Sequence, residues 1–274
     1  MALASIRPAA VAGQFYPHDE RVLRTQLAEL LSTAVALEAA PSPKAIIVPH
    51  AGYIYSGPVA ASAYALLAPL RQRIRRVVML GPTHRVAVRG FALPAAQAFA
   101  TPLGEVPLSR ADWLALQARD DVVVDDHPHA LEHCLEVQLP FLQVCLERFE
   151  IVPVLVGDMS MQATANLIES LWGGPETLIL ISSDLSHYLG YREAQWSDRA
   201  AVEQVLELRA GLDHEQACGA TPINGLLIAA RQHHLQAHLL DLRNSGDTAG
   251  DRSQVVGYTS IAFCEAEPQS HARH

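Results

Sequence analysis

Three histidines in this chain follow apolar runs, each at a position where an open α/β sheet would bind a ligand. The segments are Lys44-Ala-Ile-Ile-Val-Pro-His50-Ala-Gly-Tyr53, Arg76-Val-Val-Met-Leu-Gly-Pro-Thr-His84 and Thr177-Leu-Ile-Leu-Ile-Ser-Ser-Asp184-Leu-Ser-His187. In such sheets ligands lie beyond the carboxyl ends of the strands, and histidine is the commonest metal ligand. The pattern therefore points first to a metal centre. Pro49 and Pro82 should end their ladders, and Gly52 and Gly81 allow tight turns that present an imidazole on a rigid support. For either histidine alone, the plain alternative is a ring satisfied by a backbone carbonyl.

Other polar groups extend the pattern. Asp184 and His187 are three residues apart, which places them on one side of a helical turn, where a carboxylate can orient an imidazole for acid/base work. In Asp125-Asp-His-Pro-His-Ala-Leu-Glu-His-Cys-Leu-Glu136, a helix would put Glu132 and Glu136 on one face and His129 with His133 on another. The order does not fit H-E-x-x-H, so a zinc-peptidase helix is excluded. His127 and His129 read as surface loop residues. In the loop at 242–251, Asp247 completes a set of two histidines and one carboxylate, a donor set suited to non-haem Fe(II). That loop lacks the twelfth-position Glu of an EF-hand. Ser182 and Ser183 lack a nucleophile elbow, and no glycine-rich nucleotide fingerprint occurs.

These residues need elements to position them. Strands are predicted over 45–48, 77–80, 151–156, 178–182 and 255–263, and helices over 21–39, 58–70, 109–118, 131–148, 162–172, 191–210 and 222–233. Their alternation predicts an α/β fold, one domain with a central mixed sheet flanked by helices. The domain is expected over 1–265, with a polar tail at 266–274. Pro58 reads as the first residue of its helix, Pro140 as a kink, and the Pro/Gly-rich stretch at 90–108 as irregular or a hairpin.

Composition narrows the partners. Of 274 residues, 29 are acidic and 20 basic, for a net charge of −9, which argues against nucleic acid. No run is long and apolar enough for a membrane span or signal peptide. The four cysteines (Cys134, Cys145, Cys218, Cys264) are scattered and read as small buried hydrophobes of a reducing, cytoplasmic compartment.

Five motifs in order give a specific resemblance: Pro49-His-Ala-Gly-Tyr53, Gly81-Pro-Thr-His84, Glu132-His-Cys-Leu-Glu-Val-Gln-Leu-Pro140, Ser182-Ser-Asp-Leu-Ser-His187 and Cys218-Gly-Ala-Thr-Pro-Ile223. With Arg7–Pro17 and Val255–Phe263 they span nearly the whole chain, which resembles the Memo family and its bacterial members. The resemblance implies a fold similar to class III extradiol dioxygenases and a metal bound by two histidines and a cysteine, with iron or copper as the ion. By motif, His50 and His84 match the histidines, and Asp184 and His187 match pocket residues. The Asn244–Asp247 stretch has no cysteine, so Asp247 is taken as the third ligand and Fe(II) is preferred over copper. The resemblance also implies a pathway link to a radical SAM protein and an AMMECR1-like protein.

The first functional expectation is a metal-dependent oxidoreductase. His50, His84 and Asp247 would bind the metal, His187 with Asp184 would move protons, and Glu132, His133, Glu136 and Tyr53 would line the pocket. The alternative is a non-catalytic metal- or peptide-binding module with Tyr16, Tyr53 and Tyr188 as an aromatic rim. A third reading is metal-assisted hydrolysis. The substrate, a small molecule or peptide, is not specified by the sequence.

Overall fold

Four β-branched runs pair as parallel neighbours and carry the site. The computed structural model describes residues 5–34 and 42–265. The strands of its main sheet are β1 (Pro43–Val48), β2 (Arg76–Pro82), β3 (Phe91–Leu93), β4 (Val122–Val124), β5 (Glu150–Val156), β6 (Thr177–Ser182), β7 (His187–Leu189), β8 (Leu235–Asn244) and β9 (Val255–Glu265). Their spatial order is β7-β9-β1-β6-β2-β5-β3-β4, with β8 on the other flank of β9. Strands β1, β6, β2 and β5 run parallel. Antiparallel β9 pairs with β1 through its C-terminal half and with β7 through its first residues, so the sheet is mixed. A small separate sheet joins Ile6–Arg7, Ala98–Thr101 and Gly104–Pro107.

The parallel strands read as continuous apolar runs because both their faces are covered. Alternate residues go to opposite cores. Ile46 and Val48 join the core that takes Leu23 and Leu27 of α1 (Glu20–Ser32) and Ala60 and Tyr64 of α2 (Tyr53–Tyr64). Ala45 and Ile47 join the core formed with α3 (Met161–Ser170), α4 (Tyr191–Leu206) and α5 (Ala220–Gln232). The layers are thus helix, sheet, helix. Among the described residues no helix is long and apolar enough to cross a membrane.

All five predicted strands are present, and the helices at 109–118, 162–172, 191–210 and 222–233 are found within a few residues, as Arg110–Leu116, α3, α4 and α5. The helix expected over 21–39 is α1; residues 35–39 and the tail at 266–274 lie outside the described residues. Two helix readings are corrected. α2 starts at Tyr53, so Pro58 lies inside it rather than at its start. The segment 131–148 is not one helix. A turn of helix at His127–Ala130 gives way to irregular chain, a 3₁₀ turn at Glu136–Gln138, and a helix at Leu139–Cys145 whose first turn holds Pro140. The shared helical faces expected for Glu132 with Glu136 and for His129 with His133 do not form. His129 is buried, not a surface residue.

Candidate metal centre

The parallel strands β1, β2 and β6 end on one side of the sheet, and His50, His84 and the Ser182–His187 segment follow them there. His50 is 1% exposed. Its backbone N–H donates to Asp184 Oδ1 at 2.7 Å, and its Nδ1 lies 3.0 Å from Ser182 Oγ. Ser182 donates its own proton to the Cys134 carbonyl (2.6 Å) and accepts from Gln138 Nε2 (2.9 Å). Ser182 is therefore an acceptor towards His50, so Nδ1 carries the ring proton and Nε2 keeps its lone pair. Burial, reinforced by the neighbouring His84, pushes the ring pKa down to about 3. The imidazole is neutral, the form that ligates metals.

His84 is held the same way. Its backbone N–H donates to Glu132 Oε2 (2.7 Å) and its Nδ1 to Glu132 Oε1 (2.9 Å). Burial raises the Glu132 pKa, but the His84 hydrogen bonds and charge and the Cys134 N–H outweigh it and bring the carboxyl to about 2. An ionised carboxylate only accepts, so His84 also presents Nε2. Gly81 makes this approach of β2 possible: a Cβ there would sit 2.7 Å from Cys134 Sγ.

His133 supplies the third ring. It stacks on His84 with centroids 4.9 Å apart and meets His50 edge-on at 5.3 Å. Burial, then the nearby His50, lowers its pKa to about 4. Its Nδ1 is buried without a hydrogen-bond partner. The ligand atoms of His50, His84 and His133 all lie within 4.8 Å of one another. The buried His133 Nδ1 beside two further imidazoles is left unmatched, which a transition-metal cation would satisfy. The donors fit such an ion. A second group within the same reach combines His84 with Glu132 and Cys134.

Cys218 adds a sulfur. Its Sγ lies 3.3 Å from His50 Nε2 and accepts the Asp184 N–H at 3.3 Å. Burial, then the Asp184 charge, pushes the thiol up to about 12; a bound cation would displace that proton. Gly219 lets this loop close on β6, since a Cβ there would lie 2.7 Å from the Ser183 Cβ. The sequence reading took Cys218 for a buried hydrophobe. Its signal was present, as the first residue of the Cys218–Ile223 motif.

The other expected residues divide. Asp184 is buried beside the centre, with Oδ2 4.0 Å from His50 Nε2, and burial raises its pKa. His187 opens β7 and lines, with His84 and Cys218, a cavity of about 760 Å³. Asp247 does not join the histidines. It closes a capping box with Asn244 at Ser245–Thr248 and accepts the Tyr191 hydroxyl. Glu136 is wholly buried in an ion pair with Arg7 at 2.7 Å. Tyr53 is buried too, donating to the Val137 carbonyl (2.6 Å). Of the expected aromatic rim, Tyr16 and Tyr53 are buried and Tyr188 is exposed.

Comparison with known proteins matches the sequence to one family. The family model described as Memo-like protein matches residues 7–262. A MEMO1 family protein of Sulfolobus acidocaldarius is 34% identical over 282 residues, covering 94% of this chain and 99% of the relative. One from Methanopyrus kandleri is 35% identical over 279 residues, covering 94% and 98%. A third, from Aquifex aeolicus, is 35% identical over 270 residues, covering 94% and 99%. With both the family model and full-length relatives in agreement, the chain belongs to the Memo family.

Proposed function

We propose that the protein is a metal-dependent oxidoreductase, with Fe(II) as the first metal and copper as the alternative. The observation that carries this reading is the convergence of three imidazole ligand atoms within 4.8 Å. His50, His84 and His133 would hold the ion, with Cys218 as a fourth donor. The thiol removes the sequence-based argument against copper, because a mixed nitrogen and sulfur set suits either metal. When bound, the metal would supply redox and Lewis-acid chemistry. The chain's own residues do the rest. Ser182 and Glu132 lock the tautomers, Asp184 holds the His50 backbone, and His187 stands at the cavity wall where a proton can be exchanged with a ligand.

A second reading is non-catalytic metal binding. Were Cys218, whose Sγ lies beside His50, to join the three imidazoles, the four donors would close a tetrahedral shell, and closed shells are typical of structural or storage sites. Metal content of protein purified anaerobically without a metal-binding tag tests both readings. Near-stoichiometric metal lost in His50→Ala and His84→Ala, and kept in Asp247→Ala, is the expected result. No metal after reconstitution with Fe(II), Cu(I) and Zn(II) would overturn the site. Metal-dependent oxygen uptake with an added substrate would then separate catalysis from storage.

A further inference from the structure

The cavity beside the histidines is unbalanced in charge. Its lining includes Glu193, Asp213 and Glu215 and no lysine or arginine. The three carboxylates are exposed, and none takes part in an ion pair among the described residues. Asp213 Oδ1 accepts the backbone N–H groups of Glu215 and Gln216 at 2.9 Å, which fixes that carboxylate and leaves its second oxygen available.

The same lining carries two aromatic rings left in water, Trp196 at 77% exposure and Tyr188 at 69%. Tyr188 also has φ 58°, a left-handed conformation that a bulky side chain holds only where its surroundings impose it, as at ligand sites. Exposed π faces beside unpaired carboxylates are what recognition of an organic cation requires: the rings receive the cation's face while the carboxylates supply opposite charge. The rim and the metal donors thus offer two different chemistries at one cavity.

We propose that this cavity selects a substrate bearing an ammonium or guanidinium group, held by Glu193, Asp213 and Glu215 against Trp196 and Tyr188 while the rest of the molecule faces His84 and Cys218. The inference rests on the metal reading for that second end of the ligand.

Three catechols of matched size test it by calorimetry on zinc-loaded protein, without oxygen: dopamine, neutral 4-ethylcatechol and 3,4-dihydroxyphenylacetate. Each offers the metal the same diol, so their differences report the tail. Dopamine is expected to bind about tenfold more tightly than the carboxylate at low salt. The gap should narrow several-fold in the double variant Glu193→Gln, Glu215→Gln, which leaves only Asp213. Trp196→Ala should weaken dopamine about threefold and leave the anion unchanged. All three residues are exposed, and a thermal melt verifies that each variant is folded. Equal affinities, or tighter binding of the anion, would overturn the proposal, as would a preference undiminished in the double variant. If zinc does not load, the metal reading fails by itself, and the order of the three probes on the metal-free protein still decides the cation preference.

Discussion

Glu132 controls the position of two imidazoles. It accepts the backbone and ring N–H of His84 and the backbone N–H groups of His133 and Cys134. Its ionised form is required, because in each of these hydrogen bonds the carboxylate is the acceptor. In Glu132→Gln, the new amide N–H₂ must oppose one of those donors. The expected result is a loss of about 10–100-fold in metal affinity with the fold retained, read by competition with a chromophoric chelator and by circular dichroism. His50 and His84 were legible because each stands in a local pattern of strand, proline and glycine. Cys218 was legible only as the start of a motif, because no local feature says that a loop 168 residues from His50 returns to it. Asp247 was misread because Asn-x-x-Asp also spells a helix cap, and in the fold that use prevails.

At the scale of elements, α4 is pinned to the site by Asp198. This buried carboxylate accepts the Ser186 N–H at 3.0 Å and lies over Gly257 of β9, where a Cβ would come within 2.1 Å of Oδ2. Burial pushes its pKa up to about 6 from the ordinary 3.8. The folded chain therefore holds a proton that the unfolded chain has released between those values, so this group's contribution to stability falls as pH rises through that window. Asp198→Asn should stabilise the protein by about 3 kcal/mol at pH 7, with the gain vanishing below about pH 4. Urea unfolding at several pH values measures this. His129 acts in the opposite sense. Burial lowers it to about 4, so its contribution is complete above its unfolded pKa near 6.5 and is lost as pH falls towards 4. The parallel strands were legible as apolar runs, whereas the 131–135 segment was not. Its leucine spacing looks helical, but its N–H groups go to the Glu132 side chain in competition with a helical ladder.

Across the whole molecule, Arg7 ties the start of the described chain to the back of the centre. Its guanidinium donates to Glu136 Oε2 (2.7 Å) and to the carbonyls of His129 (2.7 Å) and Glu132 (2.6 Å), while Glu136 also accepts from Tyr16 and from Ala10 and Val11 N–H. Arg7→Met leaves a carboxylate buried without its cation, at a cost of about 3–5 kcal/mol. A thermal melt should show a loss of roughly 10 °C, with part of it recovered in the double variant Arg7→Met, Glu136→Leu. This long-range pair was invisible to local reading, which placed Glu136 in the pocket. The donor set at the centre is equally dispersed. His50, His84, His133 and Cys218 arrive from four stretches of chain, and two of them follow parallel strands that pair only after intervening helices are made. A polypeptide still emerging from the ribosome meets ions with single imidazoles, none of which can discriminate between metals. If these side chains hold an ion as proposed, its choice would be deferred until synthesis has passed residue 218 and the sheet has closed, and the metal pool around the finished protein, rather than that around the translating chain, would set what it carries.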